Sequence, residues 1–273
     1  MKVIFSTVGT SMVKGEWRER FNRLEGKSRK ERDANRKLFD ELVNEMAKAA
    51  DAPNFDPIVF SAETHSLHRM NVAPEDVLYF LVSDTLQGEL CGEALVRISQ
   101  KLWKAKAEIR VLEGLQVSDP ELFRRKGVYS LVRTVKERID HHGRKNTKFI
   151  LNATGGFKAT IPYMTMVGLI EGIPVQYIYE RASALIELPA APLRFDKPAL
   201  EELHRLMGGD LSPLLKGMSE QELSKKLRMP RDLVRNRFKE ILSFEGGRVV
   251  LTTLAQMYHE RDHRPSSGRF RLK

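Results

Sequence analysis

Short apolar runs that end in small polar residues recur along the first 190 residues, and stretches with helical spacing of apolar side chains lie between them. Nothing else in the chain constrains its fold as strongly. Lys2–Val8 (KVIFSTV), Val77–Val82 (VLYFLV), Glu108–Leu112 (EIRVL), Lys148–Leu151 and Val175–Tyr179 read as buried strands, and Ile58–Phe60 as a further short one. Continuous rather than alternating apolar runs mark strands covered on both faces. Helices are expected from about Gly88 to Ala105, from about Pro120 to Asp140 and from about Ala159 to Glu171, with another through Leu38, Leu42 and Met46. Ala184–Leu188 reads as an added edge strand. Strands alternating with helices predict an α/β fold, a mostly parallel sheet with helices on both faces.

Polar residues follow the strands directly: Gly9-Thr10-Ser11 after the first, Ser83-Asp84-Thr85 after Val77–Val82, and Asn152 to Lys158 after Lys148–Leu151. In open α/β sheets ligands bind beyond the carboxyl ends of the strands, so these loops are expected along one edge. Asn152-Ala153-Thr154-Gly155-Gly156-Phe157-Lys158 is the most informative of them. Adjacent glycines let the backbone turn with φ > 0 and come close to a ligand. The amides that open the following helix, together with its dipole, favour an anion there. Lys158 adds a full positive charge, which is disfavoured beside a positive helix end unless an anion joins it. This is the chemistry of a phosphate cradle. Its expected ligand-binding set is Gly9, Thr10, Ser11, Ser83, Thr85, Asn152, Thr154, Gly155, Gly156 and Lys158. Plainer readings stand beside it: Gly9-Thr10-Ser11 as a strand-to-helix turn with a cap, Ser83 and Thr85 as turn residues, and Asn152 as a side chain bonded to the turn backbone.

Charge points the same way. The net charge is +10, and a basic chain tends to meet an anionic partner. The excess is concentrated in Lys14–Lys37 and beyond residue 225, without the interleaved aromatics of a single-strand stacking platform. The single cysteine, Cys91, excludes a disulfide framework and fits a reducing, cytoplasmic setting. Met1-Lys2 enters a β-like run, so no leading signal peptide is expected, and no stretch is long and apolar enough to span a bilayer. No cofactor is expected. His259-Glu260-Arg261-Asp262-His263 satisfies H-E-x-x-H formally, but it lacks a third ligand and a long amphipathic helix, so no metal site is expected either.

The grammar changes after Pro189–Pro198, a proline-rich stretch that reads as a linker. Ala199–Met207 is a short helix closed by Gly208-Gly209. Ser219 and Glu222 form a capping box that opens a second helix. Met229-Pro230 turns the chain into a third, Arg231–Leu242, and Glu245-Gly246-Gly247-Arg248 is a hairpin turn before a returning strand, Val249–Thr252. The expected organisation is a ligand-binding domain over 1–190, a linker over 191–198, a small winged helix-turn-helix domain over 199–258 and a basic tail over 259–273. Arg231, Arg235, Asn236 and Lys239 are placed to meet a nucleic-acid duplex, or the module serves dimer contact or docking instead.

Ser6-Thr7-Val8-Gly9-Thr10-Ser11 at the start, paired with Asn152 to Lys158, resembles the CARF family, the CRISPR-associated Rossmann fold. Ser61-Ala62-Glu63-Thr64, Leu81-Val82-Ser83-Asp84-Thr85 and Phe123-Arg124-Arg125-Lys126-Gly127 support the match, which covers about residues 1 to 190. The proline-rich exit followed by a winged helix is similar to the middle of CARF effector proteins. The resemblance implies a Rossmann-like fold, a homodimer and binding of cyclic oligoadenylate, most usually cyclic tetra-adenylate, the second messenger of type III CRISPR antiviral defence. Some members are ring nucleases that cut the messenger, and others relay binding to an effector domain. No Arg–His pair here has the spacing of the usual ribonuclease domain.

Cyclic tetra-adenylate carries a 2′-hydroxyl beside every phosphodiester, a built-in nucleophile. If O2′, phosphorus and O5′ fall in line, cleavage gives a 2′,3′-cyclic phosphate without metal. The protein then supplies orientation and charge stabilisation. Lys158 is the candidate to neutralise charge on the phosphoryl oxygens, and Ser11 to hold either the 2′-hydroxyl or a phosphate oxygen; these are the expected catalytic pair. Three readings remain open: a metal-independent ring nuclease, a ligand-gated DNA-binding transcription regulator, and a ligand-activated effector acting on RNA or the translation machinery.

Overall fold

The computed structural model describes residues 1–115, 120–179, 184–188, 198–252, 255–256 and 258–259. Residues 191–197 of the expected 191–198 linker, residues 260–273 of the expected 259–273 tail and most of the His259–His263 motif lie outside the described residues. Contacts divide the chain into two units, Met1–Pro192 and Leu193–Lys273.

Six strands form the sheet of the first unit: β1 Lys2–Thr7, β2 Val77–Ser83, β3 Lys106–Leu112, β4 Lys148–Asn152, β5 Val175–Ile178 and β6 Leu185–Leu188. Their order is β3-β2-β1-β4-β5-β6. The first five run parallel to one another, and β6 returns antiparallel along β5 at the edge, with Ile178 opposite Leu185. The expected mostly parallel α/β sheet is the fold observed. The helices are α1 Trp17–Asn22, α2 Arg36–Ala49, α3 Pro57–Phe60, α4 Ala62–Arg69, α5 Leu86–Trp103, α6 Pro120–Leu122, α7 Val128–His142 and α8 Thr160–Glu171. A π-turn over Phe123–Gly127 joins α6 to α7.

Alternate residues of each strand serve opposite faces. Ile4, Leu78, Phe80 and Ile150 pack into one core with Phe39, Leu42 and Met46 of α2, Leu67 of α4 and Leu90, Ala94 and Leu95 of α5. On the other face Phe5 stacks between Tyr79 and Phe149, with ring centroids at 5.4 and 6.4 Å. There α7 covers the sheet, and its His142 Nε2 bonds the Tyr79 hydroxyl at 2.7 Å. Burial in both layers is close to complete: Val3, Ile4 and Phe5 are 0% exposed. Each such side chain contributes about 1.5–3 kcal/mol relative to exposure.

Ile58–Phe60, expected as a strand, lies in α3 instead. The reason is local: Asp56 caps Ile58 N at 2.8 Å and Pro57 takes the first helical position, which suits a residue with no amide hydrogen. Ser61 then ends α3 and caps α4, exchanging bonds with Thr64 in a capping box.

The charged segment Lys14–Lys37 is anchored rather than splayed. Glu89 of α5, 1% exposed, accepts from Arg29 Nε at 3.1 Å and from Arg32 Nη1 at 2.8 Å. Arg32 also pairs with Glu93 at 2.7 Å and lies over the Phe39 ring. Main-chain bonds complete the seam: Leu86 N donates to Lys27 O, Arg29 N to Asp84 O, and Ser28 bridges Thr85. Glu89→Ala removes the acceptor of both arginines and is expected to lower stability by about 1–2 kcal/mol in urea denaturation. The arginines are partly solvated, so the loss stays below that of a fully buried pair. Trypsin should then cut within Lys14–Lys37 several-fold faster; an unchanged digestion pattern would show that Glu89 does not hold the segment.

The second unit begins with α9 Pro198–Leu206 and α10 Ser212–Lys216. Then come β7 Met218–Ser219, α11 Glu220–Leu227, α12 Arg231–Arg237, β8 Leu242–Glu245 and β9 Arg248–Leu251, in a sheet of order β7-β9-β8. The helix expected over Arg231–Leu242 stops at Arg237. Phe238 and Ile241 still reach the core, and Leu242 opens β8. Gly246 and Gly247 both have positive φ, 56° and 75°, as a type I′ hairpin turn requires.

Candidate functional site

The order of the sheet determines where the loops meet. β1 is followed by β2 and β3 on one side, whereas β4 and β5 lie on the other. The crossovers diverge at β1 and β4, which opens a crevice at their carboxyl ends. A cavity of about 320 Å³ lies there, lined by Val8, Gly9, Thr10, Ser83, Thr85, Gln87, Gly88, Leu115, Gly156 and Phe157. Five members of the expected ligand set, Gly9, Thr10, Ser83, Thr85 and Gly156, are thereby brought together.

Ser11 and Thr154 face a neighbouring cavity of about 270 Å³, shared with Lys14, Ser61, Ala62 and His65. Thr10 and Ser11, adjacent in sequence, therefore serve the two sides of one loop. Lys158 is exposed just after Phe157, one residue before the N-cap of α8, and its carbonyl accepts from Ile161 N.

Asn152 and Gly155 lie beneath the surface. Asn152 is 0% exposed; its Nδ2 donates to Ser6 Oγ at 2.9 Å and Ser66 Oγ at 2.7 Å, and its Oδ1 accepts from Thr154 Oγ1 at 2.8 Å. Thr154 Oγ1 in turn accepts from Ile178 N at 3.1 Å. These two side chains fasten the turn to β1, α4 and β5. Ser83 and Thr85 bond each other at 2.7 Å, and Thr85 caps α5 by accepting from Gly88 N. Thr85 thus fills both a capping role and a place on the cavity wall, and Ser83 braces it there.

The two glycine loops touch backbone to backbone. A Cβ on Gly9 would lie 2.8 Å from Gly156 N, and Gly156 itself has φ +91°. Thr7 Oγ1 donates to Gly155 O at 2.5 Å and fastens the same contact from below.

Sequence reasoning assigned no role to Glu63, which proves to be the pivot of this region. Its side chain is 0% exposed, yet Oε1 accepts from Gly9 N at 2.7 Å and Oε2 from Ser11 Oγ at 3.2 Å. A Cβ on Gly155 would fall 2.0 Å from Oε1. One buried carboxylate therefore holds the β1 loop and sets the space for the β4 loop. Because Glu63 occupies the Gly9 amide, that residue serves the site by its bareness rather than by its N–H. Burial, and then the Glu63 charge, push the thiol of Cys91 in α5 far up, which disfavours the thiolate. The sequence signal was the Ser61–Thr64 capping box, which places Glu63 in the first turn of a helix.

Phe157, Leu115 and Gln87 were also missed. Phe157 is 36% exposed at the cavity wall and is propped edge-to-face by Phe123, centroids 5.9 Å apart. Phe123 belongs to the π-turn, a feature frequent at functional sites. The apolar ring beside a polar loop suits a nucleobase next to a phosphate.

In the second unit Arg231, Arg235 and Asn236 lie on α12, with Lys239 beyond its end. Arg235 is committed to a bidentate pair with Glu220 and stacks over Phe244. Among the described residues no cluster of His, Cys, Asp or Glu could hold a metal ion, and no helix is long and apolar enough to cross a membrane.

Residues 59–191, from α3 to just beyond β6, match the sequence model of a family described as CRISPR-associated protein (Cas_APE2256). No curated protein matches the chain. Over most of its sheet the chain is therefore similar to a CRISPR-associated family.

Proposed function

We propose that this chain is a CRISPR-associated protein that binds cyclic oligoadenylate, specifically cyclic tetra-adenylate, and opens the ring without metal to linear products with 2′,3′-cyclic phosphate ends. One observation carries the reading: the loops after β1, β2 and β4 converge on a cavity where the strand order diverges, and Lys158 follows the wall residue Phe157 in the chain. The match to a CRISPR-associated family and the resemblance of both glycine loops to CARF motifs support it. So does the shape of the site, an aromatic wall next to a tight glycine turn at a helix start, which suits adenine beside phosphate.

The chemistry follows from the ligand. Each 2′-hydroxyl neighbours a phosphorus, so a site that bends one linkage into line has done most of the work. Lys158 neutralises charge as it builds on the phosphoryl oxygens, and Ser11 orients the 2′-hydroxyl. A two-fold homodimer sets two such constellations around the pseudo-symmetric ring. The second unit, with two short helices followed by a hairpin, is read as a winged helix. The engagement of Arg235 with Glu220 weighs against its use as a duplex reader.

Titration calorimetry in EDTA tests the binding. We expect saturation at one ring per two chains, with little response to linear tetra-adenylate. Absence of binding at micromolar chain and ring would sink the reading.

A further inference from the structure

A serine hydroxyl has one proton to give and two lone pairs to fill. Ser11 gives its proton to Glu63 Oε2 at 3.2 Å and accepts from Ala62 N at 3.0 Å. One lone pair is left, and Ser11 is exposed. Whatever the ligand presents to Ser11 must therefore be a donor. A phosphate oxygen has nothing to donate, and it would also meet the Glu63 charge just behind.

Glu63 cannot relax out of this role. It is 0% exposed, its other oxygen holds Gly9 N at 2.7 Å, and Gly155 closes over it. Of the two partners left open for Ser11 in the sequence, the phosphate oxygen and the 2′-hydroxyl, only the second fits.

Resting on the cyclic-oligoadenylate reading above, we infer that Glu63 is a positioning residue that fixes Ser11 as a hydrogen-bond acceptor for a ligand 2′-hydroxyl, and thereby makes the pair the proton acceptor for ring opening. As O2′ attacks, the O2′–P bond forms and the P–O5′ bond breaks. The O2′ proton passes to Ser11 Oγ while the Ser11 proton passes to Glu63 Oε2. The leaving O5′ takes a proton from water, and Glu63 returns its own to solvent through Ser11. Atoms and charge balance with no further reactant.

Glu63→Gln is the informative variant because it reverses the bond. The amide oxygen still accepts Gly9 N–H, but the amide nitrogen now donates to Ser11, whose proton turns outward. The test uses cyclic tetra-adenylate and its 2′-fluoro analogue, which accepts but cannot donate. Wild type is expected to bind the hydroxyl ring at least tenfold tighter than the fluoro ring. Glu63→Gln should erase or invert that preference, and Ser11→Ala should erase it. Ring opening by Glu63→Gln should fall about 100-fold with hydroxyl-ring affinity within threefold to tenfold of wild type. A thermal melt confirms folding, and Glu63→Asp provides a second carboxylate to restore part of the rate. Equal affinity of wild type for both rings, or a preference that survives Glu63→Gln, overturns the polarity assignment while leaving ring binding intact. Ring opening by Glu63→Gln at the wild-type rate overturns the relay. Failure of wild type to bind either ring would instead overturn the underlying function.

Discussion

Lys158→Ala is expected to slow opening of cyclic tetra-adenylate by about 10²–10³-fold, the range seen when one preorganised donor to developing oxyanion charge is removed. Lys158 is exposed, follows the wall residue Phe157 in the chain and precedes the N-cap of α8 by one residue. A phosphodiester carries its charge in the ground state, and that charge shifts on the non-bridging oxygens as the O2′–P bond forms. Lys158 is asked to respond to that change, so its loss should appear mainly in the single-turnover rate. Ring affinity should fall less, by about tenfold, because backbone donors and the aromatic wall remain. Lys158→Arg keeps the charge and should restore part of the rate. A Lys158→Ala chain that binds weakly but cleaves normally when saturated would restrict Lys158 to holding the ring.

Gly155→Ala is expected to be severe for a residue that touches no ligand in this account. Gly155 does not have positive φ, so the backbone itself tolerates alanine. The obstacle is Glu63, whose Oε1 lies 2.0 Å from the new methyl and whose buried side chain has nowhere to go. Moving it breaks the bonds to Gly9 N and Ser11 Oγ together. Overpacking of this kind costs about 1–3 kcal/mol, and here it also uncouples the two loops of the site. Denaturation should show that loss, and ring opening should drop at least tenfold. Combining Gly155→Ala with Glu63→Ala should recover part of the stability, since the two effects share one contact. Strict additivity of the pair would contradict the proposed clash.

The sheet was legible because its strands are continuous apolar runs that alternate with helical stretches, the pattern of a doubly covered parallel sheet. The edge strand Leu185–Leu188 was legible as a further short apolar run, and the Gly246-Gly247 hairpin from its turn residues. Ile58–Phe60 misled because three apolar residues fit either period, and the Asp56-Pro57 cap outweighed β propensity. At the site, loops that follow strands could be located without coordinates. What they do with their polar atoms could not. Asn152 resembles a ligand group in sequence, but its amide bonds Ser6, Ser66 and Thr154 inside the protein. Glu63 stood in the sequence only within Ser61-Ala62-Glu63-Thr64, with no role of its own, for the converse reason: a carboxylate in a helix's first turn is ordinary, and only folding places it beneath two glycine loops more than 50 residues away on either side.

The same limit applies to the charged insert. Ten Lys and Arg between Lys14 and Lys37 pointed only to an anionic partner, whereas the fold commits Arg29 and Arg32 to buried Glu89. Its seam runs along Thr85, Leu86 and Gln87, and two of these also line the cavity. The insert thus stiffens one wall of the site.

Incubation of the pure chain with radiolabelled cyclic tetra-adenylate in excess EDTA decides between cutting the ring and only holding it. Conversion to linear products that end in 2′,3′-cyclic phosphate is expected, at a rate that saturates with protein and collapses in Lys158→Ala. Ring that stays intact after prolonged incubation with stoichiometric protein, while calorimetry shows it bound, would contradict it and leave a receptor in place of a nuclease.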